Sequence, residues 1–103
     1  MKLIRTAQNG LTKMSGDYEI YHDTYTSAVQ EANRLAERRG FNISEETWWN
    51  EIATGPGRPK DGEQTKHTLP LEKDGKLQKK ALHIQVYNRG TDKNTYELNA
   101  YIF

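Results

Sequence analysis

His22, His67 and His83 have side chains that titrate near neutrality, so each of these three histidines in the 103-residue chain is a candidate general base. A base needs a group to act on. His22 stands in "YHDTY" beside Asp23, with neither an HxH nor an HExxH spacing around it. His67 and His83 fall on separate strand-like segments, with no serine or aspartate at a position diagnostic of a triad. All three are expected as surface or hydrogen-bonded histidines. Asp61 and the run Asp74-Gly75-Lys76 offer carboxylates and a lysine of the kind that hold Mg²⁺, but Asp74-Gly75 already has an explanation as a turn. No Walker-type phosphate loop and no dinucleotide fingerprint occurs. The absence of cysteine removes disulfides, zinc ribbons and thiol nucleophiles together and fits a reducing, cytoplasmic setting. The expectation is a non-enzymatic protein with no catalytic residue, metal site or cofactor.

The stretch "GPGRPKDGEQTKH", residues 55–67, raises a different chemistry, because Arg58 and Lys60 stand among glycines and prolines. Its "GRPK" resembles the core of the AT-hook, whose extended Arg-Gly-Arg-Pro segment lies in the DNA minor groove. The resemblance covers four residues and departs from the pattern at once: position 56 is proline where the hook has its first arginine, and Asp61 and Glu63 follow. A hairpin loop turned at Gly55, Gly57 and Gly62 and stiffened by Pro56 and Pro59 is expected, leaving Arg58 and Lys60 available for contact. The formal charge of +1 supplies no field toward DNA or a membrane surface. The halves differ modestly: residues 1–51 carry six Lys/Arg against eight Asp/Glu, and residues 52–103 nine against six, giving −2 and +3.

The elements that position these residues follow from periodicity. The length suits one domain, and a mean hydropathy of −0.99 is offset by two Trp, six Tyr and two Phe, so a folded chain with a thin core is expected. The N-terminal "MKLIRTAQNG" is too soon polar for a signal peptide, and no run reaches the roughly 18 apolar residues of a membrane span. A short strand is expected at residues 2–6, followed by a loop, and "DYEIYHDTY" alternates as a strand with Tyr18 and Ile20 on one face. "TSAVQEANRLAERRG" predicts an amphipathic helix capped by Thr26 or Ser27 and ended at Gly40, with Ala28, Val29, Ala32, Leu35 and Ala36 as its buried stripe. Glu31, Arg34, Glu37 and Arg38 are expected on its solvated face.

After the helix, aromatic and β-branched residues in "TWWNEIATG" favour a strand in part of 47–54, although Ser44 followed by Glu45 and Glu46 is also the start of a helical turn. Asp74-Gly75 marks a two-residue hairpin turn between "TKHTLPLEK" and "KLQKKALHIQVYN", and Pro70 implies an edge strand or a bulge. "TYELNAYIF" reads as the last strand. The predicted class is α+β, with one amphipathic helix packed on an antiparallel sheet of about four to five strands.

Alternation along the last two strands puts Leu82, Ile84 and Val86 with Tyr96, Leu98, Ala100 and Ile102 on the core side. His83, Gln85, Tyr87, Glu97, Asn99 and Tyr101 line the other side, which is either an ordinary solvated face or a binding face. "YEIYHDTYTSAVQEANRLAERRGFNI", "GPGRPKDGE" and "ALHIQVYNRGTDKNTYELNAYIF" together resemble small modules encoded by bacteriophages and prophages. That resemblance implies a host-interaction or anti-defence factor, a class that includes anti-CRISPR proteins. Two functions are carried forward. In the first, the protein occludes a host protein partner through Arg58, Lys60, Trp48, Trp49, His83, Tyr87 and Tyr101. In the second, it binds nucleic acid through the aromatic sheet face with Arg58, Lys60, Lys66, Lys79 and Lys80.

Overall fold

The computed structural model describes residues 17–54 and 57–103, so the expected strand at 2–6, the loop after it and Gly55-Pro56 lie outside the described residues. The elements run as strand β1 (Tyr21–His22), helix α1 (Tyr25–Arg38) and helix α2 (Glu45–Trp48), which continues into a π-helical turn (Trp49–Ala53). Strands β2 (Gln64–Lys73), β3 (Lys76–Asn88) and β4 (Tyr96–Ile102) follow. The four strands form one antiparallel sheet in the order β1-β4-β3-β2. Both helices pack on one face of it, giving the α+β class that the sequence predicts. The smallest extent, 19 Å, is that of one helical layer on one sheet. Among the described residues no helix is long and apolar enough to cross a membrane.

Helix α1 starts two or three residues earlier than expected. Thr24, in extended conformation, is the cap, and its hydroxyl accepts the Ser27 N–H at 3.0 Å. Thr26 and Ser27 therefore lie inside the helix, and the Ser27 hydroxyl is taken up by His22 Nδ1 at 2.8 Å. The early start also cuts "DYEIYHDTY" to a two-residue strand, although its alternation is as expected: Tyr18 and His22 are buried. At the other end Gly40 adopts φ +87°, the left-handed position that stops the helix.

The expected strand within 47–54 is helical instead. Ser44 Oγ accepts the Thr47 N–H at 3.1 Å, and Glu45 and Glu46 occupy the first turn, where carboxylates complement the helix dipole. This local capping outweighs the β propensity of Trp48 and Trp49, and the segment has no strand partner among the described residues. In consequence the 57–63 loop joins a helical turn to β2 and is not the connection of a hairpin. Asn88 holds it: Asn88 Nδ2 donates to the Pro59 carbonyl at 2.9 Å, and the Gly62 N–H donates to the Asn88 carbonyl at 2.8 Å.

Asp74 and Gly75 both take positive φ, 54° and 76°, as the two-residue turn requires. Pro70 lies on the edge strand and beside a register shift, where the step from Pro70 to Glu72 spans Ala81 to Leu77 on β3. The predicted helix stripe is buried throughout and meets Leu69, Leu71, Leu82, Ile84, Val86, Leu98 and Ala100. Three of the five stripe residues are alanine, which lets the helix backbone approach the sheet closely.

Glu31 departs from the solvated-face expectation, because it is buried at 4% exposure. Burial alone would raise its pKa, but the Glu19 N–H and the Arg34 and Arg38 guanidinia, each at 3.0 Å, outweigh that and hold the carboxyl below its ordinary range. Arg38 also donates to the Asp17 carbonyl, and Arg39 grips the Asp17 carboxylate through two bonds of 2.9 and 3.0 Å. The chain entering β1 is thereby tied to the end of α1. Glu31→Gln, which keeps the shape and removes the charge, is expected to lower the unfolding free energy at neutral pH by about 1–3 kcal/mol. Urea unfolding checks this, and the deficit should shrink as pH falls through the carboxylate range, where the wild type loses the same contribution.

Candidate functional site

The face of the sheet away from the helices is uncovered among the described residues, and the strand register sets its side chains in rows. Across β4, β3 and β2, one row runs Tyr101, His83, Thr68; the next runs Asn99, Gln85, Lys66; a third runs Glu97, Tyr87, Gln64. Phe103 continues β4 by exchanging both backbone hydrogen bonds with Ala81 at 3.0 Å, which adds the row Phe103, Ala81, Pro70. Tyr21 on β1 pairs with Glu97, and the Arg89 guanidinium lies 5.0 Å from its ring centroid.

The centre of this face is ordered. The His83 imidazole stacks on the Tyr101 ring, with centroids 4.7 Å apart and planes 16° from parallel, and Thr68 Oγ1 lies 3.4 Å from His83 Nδ1. Next to the stack, the Ala100 N–H donates to Tyr18 Oη at 3.2 Å, Tyr18 donates on to Asn99 Oδ1 at 3.4 Å, and Asn99 Nδ2 donates to Gln85 Oε1 at 3.2 Å. Such a chain fixes side-chain orientation before anything binds. A hollow of about 400 Å³ opens between Tyr18, Gln85, Tyr87, Glu97 and Asn99. Tyr87, Tyr101 and Phe103 are 40%, 44% and 83% exposed, so three of the largest exposed apolar side chains share this surface.

The predicted site residues divide among four regions. His83, Tyr87, Tyr101 and Lys66 belong to the open face. Trp48 and Trp49 lie in the helical layer, where Trp48 packs partly against the core and Trp49 is 62% exposed. Arg58 sits at the start of α1 beside Asp23, Thr24, Tyr25 and Tyr96, and Lys60 lies near Asn88 and Thr95. Because Tyr96 is on the helix side of β4, neither cation reaches the open face. Lys79 and Lys80 occupy the stretch of β3 between Leu77 and Ala81, for which no β2 partners are registered. Eight residues of strand separate Lys80 from Asn88, about 27 Å at the rise of an extended chain. The cations therefore do not form one patch. Phe103 is an aromatic of the open face that sequence reasoning omits, although its two-residue spacing from Tyr101 places it on the same side.

His22 and His67 are both buried and hydrogen-bonded, as expected. His22 Nε2 donates to the Glu19 carbonyl at 2.9 Å, which leaves Nδ1 to accept from Ser27. His67 Nε2 lies 3.0 Å from Tyr25 Oη, and Tyr25 meets Tyr96 edge to face at 6.2 Å. Among the described residues no group of three or more His, Asp and Glu is placed to hold a metal ion. Comparison with protein-family models, with curated proteins and with solved structures finds no significant match to this chain.

Burial pulls the His67 pKa below its ordinary value, and the nearby Glu51 charge only partly opposes this. The unfolded chain thus takes up its proton at higher pH than the folded one. The contribution of neutral His67 is complete above about pH 6.5 and declines as pH falls toward the folded pKa. Urea unfolding between about pH 7 and 5.5 should show stability falling in the wild type and a flatter profile in His67→Gln, and equal slopes would remove His67 as the cause.

Proposed function

We propose that this chain is a non-enzymatic binding protein whose open sheet face docks on a protein partner and occludes it. The observation that carries the reading is the His83–Tyr101 stack, set beside exposed Phe103 and Tyr87 on a strand scaffold with an ordered polar chain next to it. Rigid aromatic side chains with few rotatable bonds lose little entropy on contact, and they concentrate binding energy at the centre of an interface. The resemblance of the sequence to phage-encoded modules supplies the class of partner, a host protein or complex.

The second reading is a nucleic-acid module, favoured by Lys66 lying next to stackable rings on the same face. Against it, Arg58 and Lys60 stand on the helix side and Lys79 and Lys80 at the far end of β3, so few phosphates can be neutralised together.

The two readings separate in one comparison of the wild type with Tyr101→Ala and Lys66→Ala. A partner taken from host extract at moderate salt should form a stoichiometric complex in sedimentation. Tyr101→Ala should weaken it roughly tenfold or more, while Lys66→Ala leaves it within about twofold. Binding to single-stranded DNA or RNA that drops about tenfold between roughly 50 and 200 mM salt, and falls further in Lys66→Ala, would transfer the site to the second reading.

A further inference from the structure

On the helical layer, away from the open sheet face, a cleft of about 620 Å³ is lined by Asn33 of α1, Ile43, Glu45, Glu46, Trp48 and Trp49. We infer that this cleft binds an arginine side chain of a partner polypeptide. Its wall is aromatic: Trp48 is anchored against the core, and Trp49 stays 62% exposed although an indole is among the most favourable side chains to bury. Trp49 opens a π-helical turn, a rare conformation frequent at functional sites, and Thr54 closes that turn by donating both its N–H and its hydroxyl to the Trp49 carbonyl at 2.9 Å. Trp48 and Trp49 both have helical dihedrals, and consecutive helical positions diverge by about 100° around the axis, which leaves one indole against the core and the other in the cleft.

The rim is anionic. Glu45 and Glu46 are exposed, and neither carboxylate has a hydrogen-bond or ionic partner among the described residues, in contrast to Glu31 and Asp17, which are fully engaged. Unpaired carboxylates next to an open indole complement a cation. A guanidinium fits better than an ammonium, because its planar, weakly hydrated group stacks on an aromatic face and presents a donor fork to carboxylates at its edge. The cleft uses neither His83 nor Tyr101, so this site stands independently of the open-face reading.

The test uses the whole chain and the peptide acetyl-(Gly-Arg)₃-Gly-amide, with a control in which citrulline replaces every arginine and keeps the shape without the charge. Calorimetry and the indole N–H resonances are followed at about 100 mM salt, where weak surface electrostatics are screened. Saturable binding of the arginine peptide with shifts at both indoles is expected, and the citrulline peptide should bind at least about tenfold more weakly. Trp49→Ala should weaken binding by roughly tenfold, and the Glu45→Gln, Glu46→Gln pair by about fivefold, while His83→Ala leaves it unchanged. All four substitutions, in three variants, fall on side chains outside the hydrophobic core, and circular dichroism checks that each variant is folded. Equal binding of the citrulline peptide, indifference to the two glutamines, sensitivity to His83→Ala, or no saturable signal would each overturn the site. Sensitivity to His83→Ala would move the peptide to the open sheet face, while the other outcomes leave the open-face reading untouched.

Discussion

The structure depends on a one-sided burial: among the described residues, one helical layer covers one face of a four-stranded antiparallel sheet. Side chains alternate along every strand, so the requirement that Leu82, Ile84, Val86, Leu98 and Ala100 meet α1 also sends His83, Gln85, Tyr87, Asn99 and Tyr101 to the opposite side. A register slip of one residue would exchange the two sets and place a histidine and two tyrosines under the helix. The aromatic outer surface is therefore a geometric consequence of the packed inner one, and the alanines of α1 set how close the two layers come.

Polar contacts close the perimeter of this thin core. At the β1 edge Glu31 gathers two arginines and a backbone N–H, and Arg39 clasps Asp17, so the strand entering β1 cannot lift away from the end of α1 without exposing a buried carboxylate. At the end of β3, in the same cross-strand row as Tyr96 and His22, Asn88 makes three bonds: its Nδ2 donates to the Pro59 carbonyl, its Oδ1 accepts the Gly90 N–H at 2.8 Å, and its carbonyl accepts from Gly62. Both devices satisfy backbone groups where the sheet and helices run out, which is where a small domain is otherwise weakest.

Charge and aromaticity are distributed differently over the surface. The open face gathers rings and leaves its cations scattered, while the helical layer holds a Trp-lined cleft with two unengaged glutamates. A surface that recognises phosphates needs cations in register along a path; one that recognises protein needs a few rigid anchors with ordered polar neighbours. The open face has the second character.

Alternation, helical period and turn chemistry were enough to determine the α+β class, the buried stripe of α1, the Asp74-Gly75 turn, the edge-or-bulge setting of Pro70 and the two faces of β3 and β4. Each of these rests on interactions within a few residues or on a strict repeat, so each is written locally. What tertiary structure decided were matters of competition and of distance in space. Ser44 capping overrode the β propensity around Trp48 and Trp49, and Thr24 took the cap of α1 while the Ser27 hydroxyl met His22 across the fold. Glu31 carries a charge that reads as solvent-facing; its pairing with Arg34 follows from helical spacing, but it is buried where the segment around Glu19, whose N–H it accepts, crosses the helix only in the fold. Arg58, Lys60, Lys66, Lys79 and Lys80 look like one basic set in the chain, and the sheet separates them, since position along a sequence does not encode which end or which side of a sheet a cation will occupy.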